Sequence, residues 1–172
     1  MKKLVLSALF SAVASASLFA ASFSDLSYSV GTKLGTTHTF GTPSLQLGIH
    51  NAFADARLGF GAYSADNGTN TSSVTNIGLQ LAGKYPVAQE LNLTGGLEYV
   101  LKTGNLEKVD IDSASDLSVF VGLQKVFSKN FLVEGQLNLY RTSSEKLKTA
   151  NAKTNCTSHI LNSANLIVSY VF

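Results

Sequence analysis

The feature that most constrains this chain is an alternation of apolar and polar residues with period two, which recurs from residue 24 to the end. In one such segment, Leu45, Leu47 and Ile49 are separated by Gln46 and Gly48. Successive side chains of a strand point to opposite faces, whereas apolar residues of a helix recur about every 3.6 residues. The pattern therefore predicts an all-β fold.

The alternation divides into eight predicted strands. They cover residues 24–34, 44–52, 55–63, 74–85, 90–101, 116–127, 131–141 and 159–172. Tilted strands that cross a bilayer need about 9–11 residues, whereas strands of globular proteins average about five or six. The connections, of 9, 2, 10, 4, 14, 3 and 17 residues, alternate between long and short. This alternation is typical of an antiparallel up-and-down outer-membrane barrel, with short periplasmic turns and longer external loops.

The two faces of these strands differ in polarity. One face is apolar and nearly uncharged, with Lys125 and Arg141 only near strand ends. The other face carries eight charges of balanced sign, namely Lys33, Asp55, Arg57, Lys84, Glu90, Glu98, Lys102 and Glu134. A soluble sandwich or lipocalin-like barrel also alternates, but only contact with hydrocarbon requires an uncharged outer face on every strand. The pattern favours a transmembrane β-barrel with its charged face turned inward.

Aromatic residues mark one end of the predicted barrel. Four of them have the apolar parity and lie beside short connections: Phe53, Tyr85, Phe127 and Phe131. Aromatic girdles lie at membrane–water interfaces, so we expect these side chains at the periplasmic interface. The other rim is less regular, because Tyr63 and Tyr140 have inward parity unless a bulge intervenes.

The first 21 residues have the pattern of a cleavable signal peptide. Lys2 and Lys3 precede an apolar stretch from Leu4 to Val13, and small residues follow. We expect cleavage between residues 16 and 21, which leaves residues 22–172 as one barrel domain. An uncleaved helical anchor is disfavoured by the Ser- and Ala-rich second half. No run of about 18 apolar residues follows residue 23, so no transmembrane helix is expected.

Composition excludes several classes of function. The chain has 13 Lys+Arg and 11 Asp+Glu. Loss of Lys2 and Lys3 leaves a nearly neutral mature chain without a basic patch for nucleic acid. Cys156 is the single cysteine, and together with His159 it supplies too few ligands for a zinc site. We therefore expect no disulfide framework, metal, cofactor or nucleic-acid partner.

The C-terminal segment from Asn165 to Phe172 resembles the last strand of bacterial outer-membrane barrel proteins. Those proteins typically end in an aromatic residue preceded by alternating apolar residues, and here Leu166, Val168, Tyr170 and Phe172 fill the pattern. The resemblance implies that these residues form the signal read by the barrel-assembly machinery during insertion.

With its eight strands, the mature chain resembles the small outer-membrane β-barrels of the OmpA-transmembrane-domain/OmpX-like group. This resemblance implies a monomeric eight-stranded antiparallel barrel in the bacterial outer membrane, in contact with outer-membrane lipid and lipopolysaccharide.

The inward-facing charges form the main candidate site. By position along the strands, Asp55, Arg57, Lys84, Glu90 and Glu134 lie toward the short turns, while Lys33, Glu98 and Lys102 lie toward the long loops. An unpaired buried charge costs several kcal/mol, so we expect two clusters of opposite charges paired across the lumen. Such clusters either plug the lumen or form a gated ion path. The plug is favoured, because side chains nearly fill eight-stranded barrels.

The sequence leaves three functions open. A structural or surface-interaction role, in membrane integrity, loop-mediated contact or adhesion, is favoured, and the alternative is a narrow porin-like channel for small solutes. A third candidate is a lipid A-modifying enzyme that uses Ser158, His159 or His38 near the external rim. No motif supports it, so no catalytic residue is assigned. We expect His50 to form hydrogen bonds inside the barrel.

Two predicted loop segments carry opposite net charge, minus three over residues 104–116 and plus three over residues 141–158. We expect them to attract each other over the barrel mouth, or the basic segment to contact anionic lipopolysaccharide.

Overall fold

The computed structural model describes residues 25–35, 43–66, 71–106, 109–128, 130–147 and 154–172. Over these residues it forms eight strands, namely β1 (Ser27–Gly35), β2 (Ser44–His50), β3 (Ala54–Asp66), β4 (Thr71–Ala88), β5 (Leu91–Leu106), β6 (Val109–Phe127), β7 (Phe131–Leu147) and β8 (Thr154–Val171). Each strand pairs with its sequence neighbours in antiparallel register, and β1 pairs with β8, which closes the barrel. The predicted up-and-down barrel is confirmed.

The proposed signal peptide, residues 1–21, lies outside the described residues. In the part of the chain that the structure does describe, no helix is both long and apolar enough to cross a membrane.

The alternation along each strand separates an apolar outside from a polar inside. In β2 the side chains of Ser44, Gln46 and His50 are buried, whereas Leu45 and Leu47 are exposed. The same reversal continues around the barrel, where the exposed fractions of Leu58, Leu79 and Leu123 are 44%, 46% and 54%. Large aliphatic side chains exposed on every side require an apolar surrounding, so a sandwich with a shared hydrophobic core is excluded.

The strands extend further at one end of the barrel than the sequence predicts. At the turn end, the connections are residues 51–53, 89–90 and 128–130, close to expectation. The opposite end is called the loop end here. The strands of its long hairpins are joined by residues 67–70, 107–108 and 148–153, whereas connections of 10, 14 and 17 residues were expected. That expectation was wrong, because polar residues continue the ladder of backbone hydrogen bonds beyond the apolar belt.

A β-bulge in β7 changes the direction of the side chains that follow it. The pairing of β7 with both β6 and β8 skips Leu139, since Asn138 and Tyr140 are partners of adjacent residues on β6. An extra residue reverses the parity of the strand. Tyr140 is therefore exposed and Arg141 is buried, with an exposed fraction of 9%. Arg141 was expected on the apolar face, and the structure corrects this.

Candidate functional site

The turn end of the lumen contains an arginine that bridges two carboxylates. Arg57 Nη2 lies 2.7 Å from Asp55 Oδ2 and 2.5 Å from Glu134 Oε2. Its Nη1 donates a hydrogen bond to Gln80 Oε1 at 3.0 Å. All of these side chains are buried. Since β3 and β7 lie on opposite sides of the closed barrel, the ion pair between Arg57 and Glu134 spans the lumen.

Both carboxylates have further hydrogen-bond donors. Lys84 Nζ lies 2.7 Å from Asp55 Oδ1, and Gln124 Nε2 donates to Asp55 Oδ2 at 2.6 Å. Donors to Glu134 Oε1 are Thr94 Oγ1 and Gln136 Nε2, each at 2.8 Å. We call Asp55, Arg57, Lys84 and Glu134, with His50 and the polar side chains bonded to them, the turn-side cluster. Its two acids and two permanent cations balance, which lowers the cost of burying them.

His50 connects the turn-side cluster to β1. Its Nδ1 lies 2.8 Å from Asp55 Oδ1, and its Nε2 lies 2.6 Å from Ser29 Oγ. Gly48 provides the space for this contact, because a Cβ there would lie 2.5 Å from Ser29 Oγ and 2.6 Å from His50 Nε2. The structure thus places His50 in the lumen as a hydrogen-bonding residue.

Two further groups of charges lie in the lumen. Lys33 Nζ lies 2.5 Å from Glu98 Oε1, with both side chains buried. Nearer the loop end, Asp116 Oδ2 lies 2.7 Å from Lys102 Nζ and 2.6 Å from Arg141 Nη2. We call the last three residues the loop-side triad. Each charged group of the turn-side cluster, of the Lys33–Glu98 pair and of the loop-side triad is thus beside an opposite charge, as burial in a low-dielectric interior requires.

Sequence reasoning missed two members of the loop-side triad. Asp116 was counted with the loop segment 104–116, but it is buried within β6, which begins at Val109. Arg141 was counted both on the apolar face and in the segment 141–158. Its inward direction follows from the bulge at Leu139. The sequence held one signal of that bulge: Tyr140, an aromatic residue near the rim, has inward parity unless a bulge intervenes.

Of the eight charged residues predicted to face the lumen, seven do so and one does not. Buried side chains in contact with opposite charges are Lys33, Asp55, Arg57, Lys84, Glu98, Lys102 and Glu134. Glu90 is instead exposed in the turn between β4 and β5, with φ of 59°. Its expected place in the lumen was wrong, because β5 begins one residue later, at Leu91, and a turn residue has no strand parity.

The aromatic and C-terminal residues lie on the outer surface. The side chains of Phe53, Tyr85, Phe127 and Phe131 are all exposed beside the turn-end connections. The rings of Tyr170 and Phe172 contact each other edge to face, with centroids 5.3 Å apart. Phe172 N also donates to Tyr28 O at 2.8 Å, so the last residue is bonded across the seam where β8 meets β1.

The two described residues considered for catalysis, Ser158 and His159, are not arranged as a nucleophile and its base. Ser158 Oγ is bonded to Tyr140 Oη at 3.0 Å. His159 follows it on β8, and adjacent strand residues point to opposite faces. His38 lies outside the described residues. Across the described part of the chain, no three His, Cys, Asp or Glu residues form a group that could hold a metal ion.

Comparison with known proteins gives a match at the level of fold. No family model matches the chain, and none of the curated proteins matches it. Among solved structures, it is similar to outer membrane protein H (OprH) from P. aeruginosa in DHPC micelles, with 16% identity and a TM-score of 0.58 over 85% of this chain and 99% of that one. A weaker likeness is to E. coli outer membrane protein W, with 11% identity and a TM-score of 0.48 over 86% and 96% of the two chains.

The fold and the surface lead to the same conclusion. The sheet is closed, its outside is apolar around the whole circumference, and its inside is polar and charge-paired. Such a distribution suits a bilayer surrounding the barrel, because all backbone groups of the closed sheet are bonded within it. By fold, the chain is a closed eight-stranded antiparallel β-barrel similar to that of a small outer membrane protein.

Proposed function

We propose that this chain is a non-catalytic, monomeric outer-membrane protein whose closed lumen stabilises the barrel and whose loop-end hairpins contact partners at the cell surface. The observation that carries the proposal is the chain of side chains across the turn end of the lumen, in which Arg57 joins Asp55 to Glu134. A rigid barrel with a plugged interior has its loops as the remaining surface for recognition.

Packing at the turn end supports a plug over a conducting path. Arg57, Asp55 and Glu134 have exposed fractions of 2%, 1% and 0%. Gln80 and Gln136 extend the same layer, with Gln80 Nε2 donating to Gln136 Oε1 at 3.1 Å. Leaving one charge of a buried ion pair without its partner costs about 3–5 kcal/mol, which disfavours opening of such a layer.

The loop-end hairpins support a role in surface contact. β6, β7 and β8 have 19, 17 and 18 residues, longer than the 9–11 or so that cross the apolar layer. Asp116 belongs to the acidic segment 104–116 and Arg141 to the basic segment 141–158, but both side chains lie in the lumen. The net charge that each segment offers for outside contacts is therefore one unit smaller in magnitude than its sequence predicts. Outer-membrane lipid and lipopolysaccharide are the proposed surroundings, and the assembly machinery is a proposed partner during insertion.

Conductance in planar bilayers tests the plug. The wild-type protein, reconstituted at neutral pH and moderate salt, should show no steady conductance above that of protein-free bilayers. Arg57→Ala removes the bridging cation and should produce openings, whereas Lys125→Ala removes an exposed lysine on the outer surface and should remain silent. Steady wild-type conductance that Arg57→Ala or Glu134→Ala abolishes would contradict the proposal and favour the narrow channel.

Lipid A analysis tests the absence of catalysis. Cells with and without the protein should yield lipid A of the same mass distribution, because Ser158 is bonded to Tyr140 and not to a base. A mass change that Ser158→Ala or His159→Ala abolishes would favour the membrane-enzyme alternative. Changes that persist in both variants would point to an indirect response of the cell.

A further inference from the structure

The strands β1 and β2 do not extend as far as their neighbours at the loop end of the barrel. In the described part of the chain, the pairing of β1 with β8 stops at Gly35 and Asn165. β8 continues outward to Thr154, and β7 still pairs with it there. The backbone of Thr154–Ile160 therefore has β7 on one side and no described strand on the other. We call this second side the β8 edge.

The connection between β1 and β2 is too short to cover the β8 edge. It consists of residues 36–43, between Gly35 and Ser44. A segment of that size that leaves the barrel and returns can extend outward by about half its length, roughly 14 Å. Residues 154–164 of β8, by contrast, measure about 36 Å as a strand. The connection therefore reaches only the part of this length that is nearest the membrane.

Side-chain exposure shows that the β8 edge is open. All side chains of residues 157–161 are exposed, and the exposed fraction of Ile160 is 74%. His159 is exposed although its cross-strand partner on β7, Arg141, is buried. Partners in an antiparallel pair share a face of the sheet. On the lumenal face, the interior thus covers β7 but leaves β8 accessible at this level.

The β8 edge lies beyond the apolar layer of the membrane. A tilted strand crosses that layer with about 9–11 residues. Counted along β8 from Val171 at the turn end, this length ends near Leu161. Backbone groups without partners are excluded from hydrocarbon, whereas water can hydrate them. The edge is therefore available to a partner on the aqueous side of the loop end.

The sequence of this segment does not protect the edge. Sheet edges in natural proteins are commonly blocked by lysine or other charges, by proline or by a bulge. Residues 154–164 include no Asp, Glu, Lys, Arg or Pro. The bulge at Leu161 lies at the membrane border of the edge and not within it. On the far side of the gap, β3 extends past its pairing with β2 over residues 61–66, a shorter edge that ends in an aspartate.

We propose that the β8 edge binds an extended, uncharged segment of another polypeptide, which adds to the sheet as a strand where β1 stops. Backbone donors and acceptors repeat along the edge at the spacing of a strand, so another extended backbone matches them over the whole length. Saccharides and lipid headgroups have no such repeat. The exposed side chain of Ile160 offers the added strand an apolar contact. The inference rests on the surface contact in the proposed function and names its site and its partner's chemistry.

Backbone NMR of the isotope-labelled protein, refolded in detergent micelles, tests the proposal. The probe is a disulfide-closed β-hairpin peptide of alternating Thr and Val, with strands as long as the β8 edge. A control peptide carries methyl groups on its outward-facing backbone nitrogens, so it keeps the side chains but cannot donate to an edge. The probe should shift the amide signals of Thr154–Ile160 and slow the exchange of the edge-directed amide hydrogens at least about tenfold. The control peptide should do neither.

Proline variants locate the bound strand on β8. Neighbouring residues of a strand direct their N–H groups to opposite sides. Of Thr157→Pro and Ser158→Pro, one therefore removes a donor to β7 and the other removes a donor of the β8 edge. The variant whose β7 signals stay unchanged should no longer bind the probe, and retained binding by that variant would contradict the proposal.

Four further outcomes would overturn the proposal. They are unchanged signals of Thr154–Ile160 with the probe, equal effects of the two peptides, changes confined to residues 61–66, and the same shifts on concentrating the protein without peptide. The last result would make the occupant a second copy of the chain. Steady conductance or altered lipid A would instead count against the proposed function, because neither measurement depends on the β8 edge.

Discussion

Arg57 on β3 and Glu134 on β7 lie on opposite walls of the barrel, and their side chains meet inside it with 2.5 Å between Nη2 and Oε2. The two residues are 77 positions apart in the sequence. Strands on opposite walls share no backbone pairing, so the ion pair links parts of the sheet that are otherwise connected only around the circumference. It is a direct tie across the lumen and the basis of the first prediction.

Glu134→Gln should strongly destabilise the barrel. The change removes one charge of a buried pair and leaves Arg57 with an excess of positive charge around it, which costs about 3–5 kcal/mol of unfolding free energy. Urea unfolding in lipid vesicles, followed by intrinsic tyrosine fluorescence, measures the effect. Glu90→Gln is the matched control, since Glu90 is exposed in a turn and should change the free energy by less than about 0.5 kcal/mol. Equal effects of the two variants would contradict the assigned contacts.

Asp116 and Arg141 should be energetically coupled. In a double-mutant cycle of Asp116→Asn and Arg141→Gln, the effects on unfolding free energy should depart from additivity by about 0.5–3 kcal/mol, because each residue is the other's partner at 2.6 Å. Asp116→Asn combined with Lys125→Gln should be additive, since Lys125 is exposed on the outer face. An additive first cycle would mean that the bulge at Leu139 does not turn Arg141 inward.

Gly48→Ala should be costly where Gly135→Ala is not. A Cβ at Gly48 would lie 2.5 Å from Ser29 Oγ and 2.6 Å from His50 Nε2, whereas a Cβ at Gly135 meets nothing within 4 Å. Crowding of this kind costs about 1–3 kcal/mol. The temperature of unfolding of the two variants, measured in the same micelles, compares the sites directly. A Gly135→Ala variant less stable than Gly48→Ala would refute the tight packing around His50.

Replacement of Phe172 should reduce assembly in cells. Phe172 N is bonded to Tyr28 O at the seam that closes the barrel, and its ring packs against Tyr170. Phe172→Ser should lower the fraction of heat-modifiable protein in the outer membrane several-fold, while Phe172→Tyr keeps the aromatic ring and should assemble normally. Equal assembly of wild type and Phe172→Ser would remove the support for a C-terminal assembly signal.

The charged residues show where strand alternation alone predicts the direction of a side chain and where it fails. For Lys33, Asp55 and Glu98 the alternation gave the inward direction, because period two is a local property of a strand. For Glu90 it failed, since a turn residue with φ of 59° lies outside that rule. The extra length of the hairpins was also missed, because the residues of β6 before Asp116 are mostly polar and lie beyond the long apolar alternation, although their backbone still pairs.

The sequence by itself determined that strands alternate between lipid and lumen, that they are long enough to span a bilayer, and that the lumenal charges nearly balance. Each of these follows from residue order along one strand. Only the tertiary structure decided that Arg57 meets Glu134, that Leu139 turns Arg141 toward Asp116, and that His50 and Lys84 share one oxygen. Contacts across a lumen depend on the tilt, register and closure of all the strands together, and no single segment of the chain encodes those quantities.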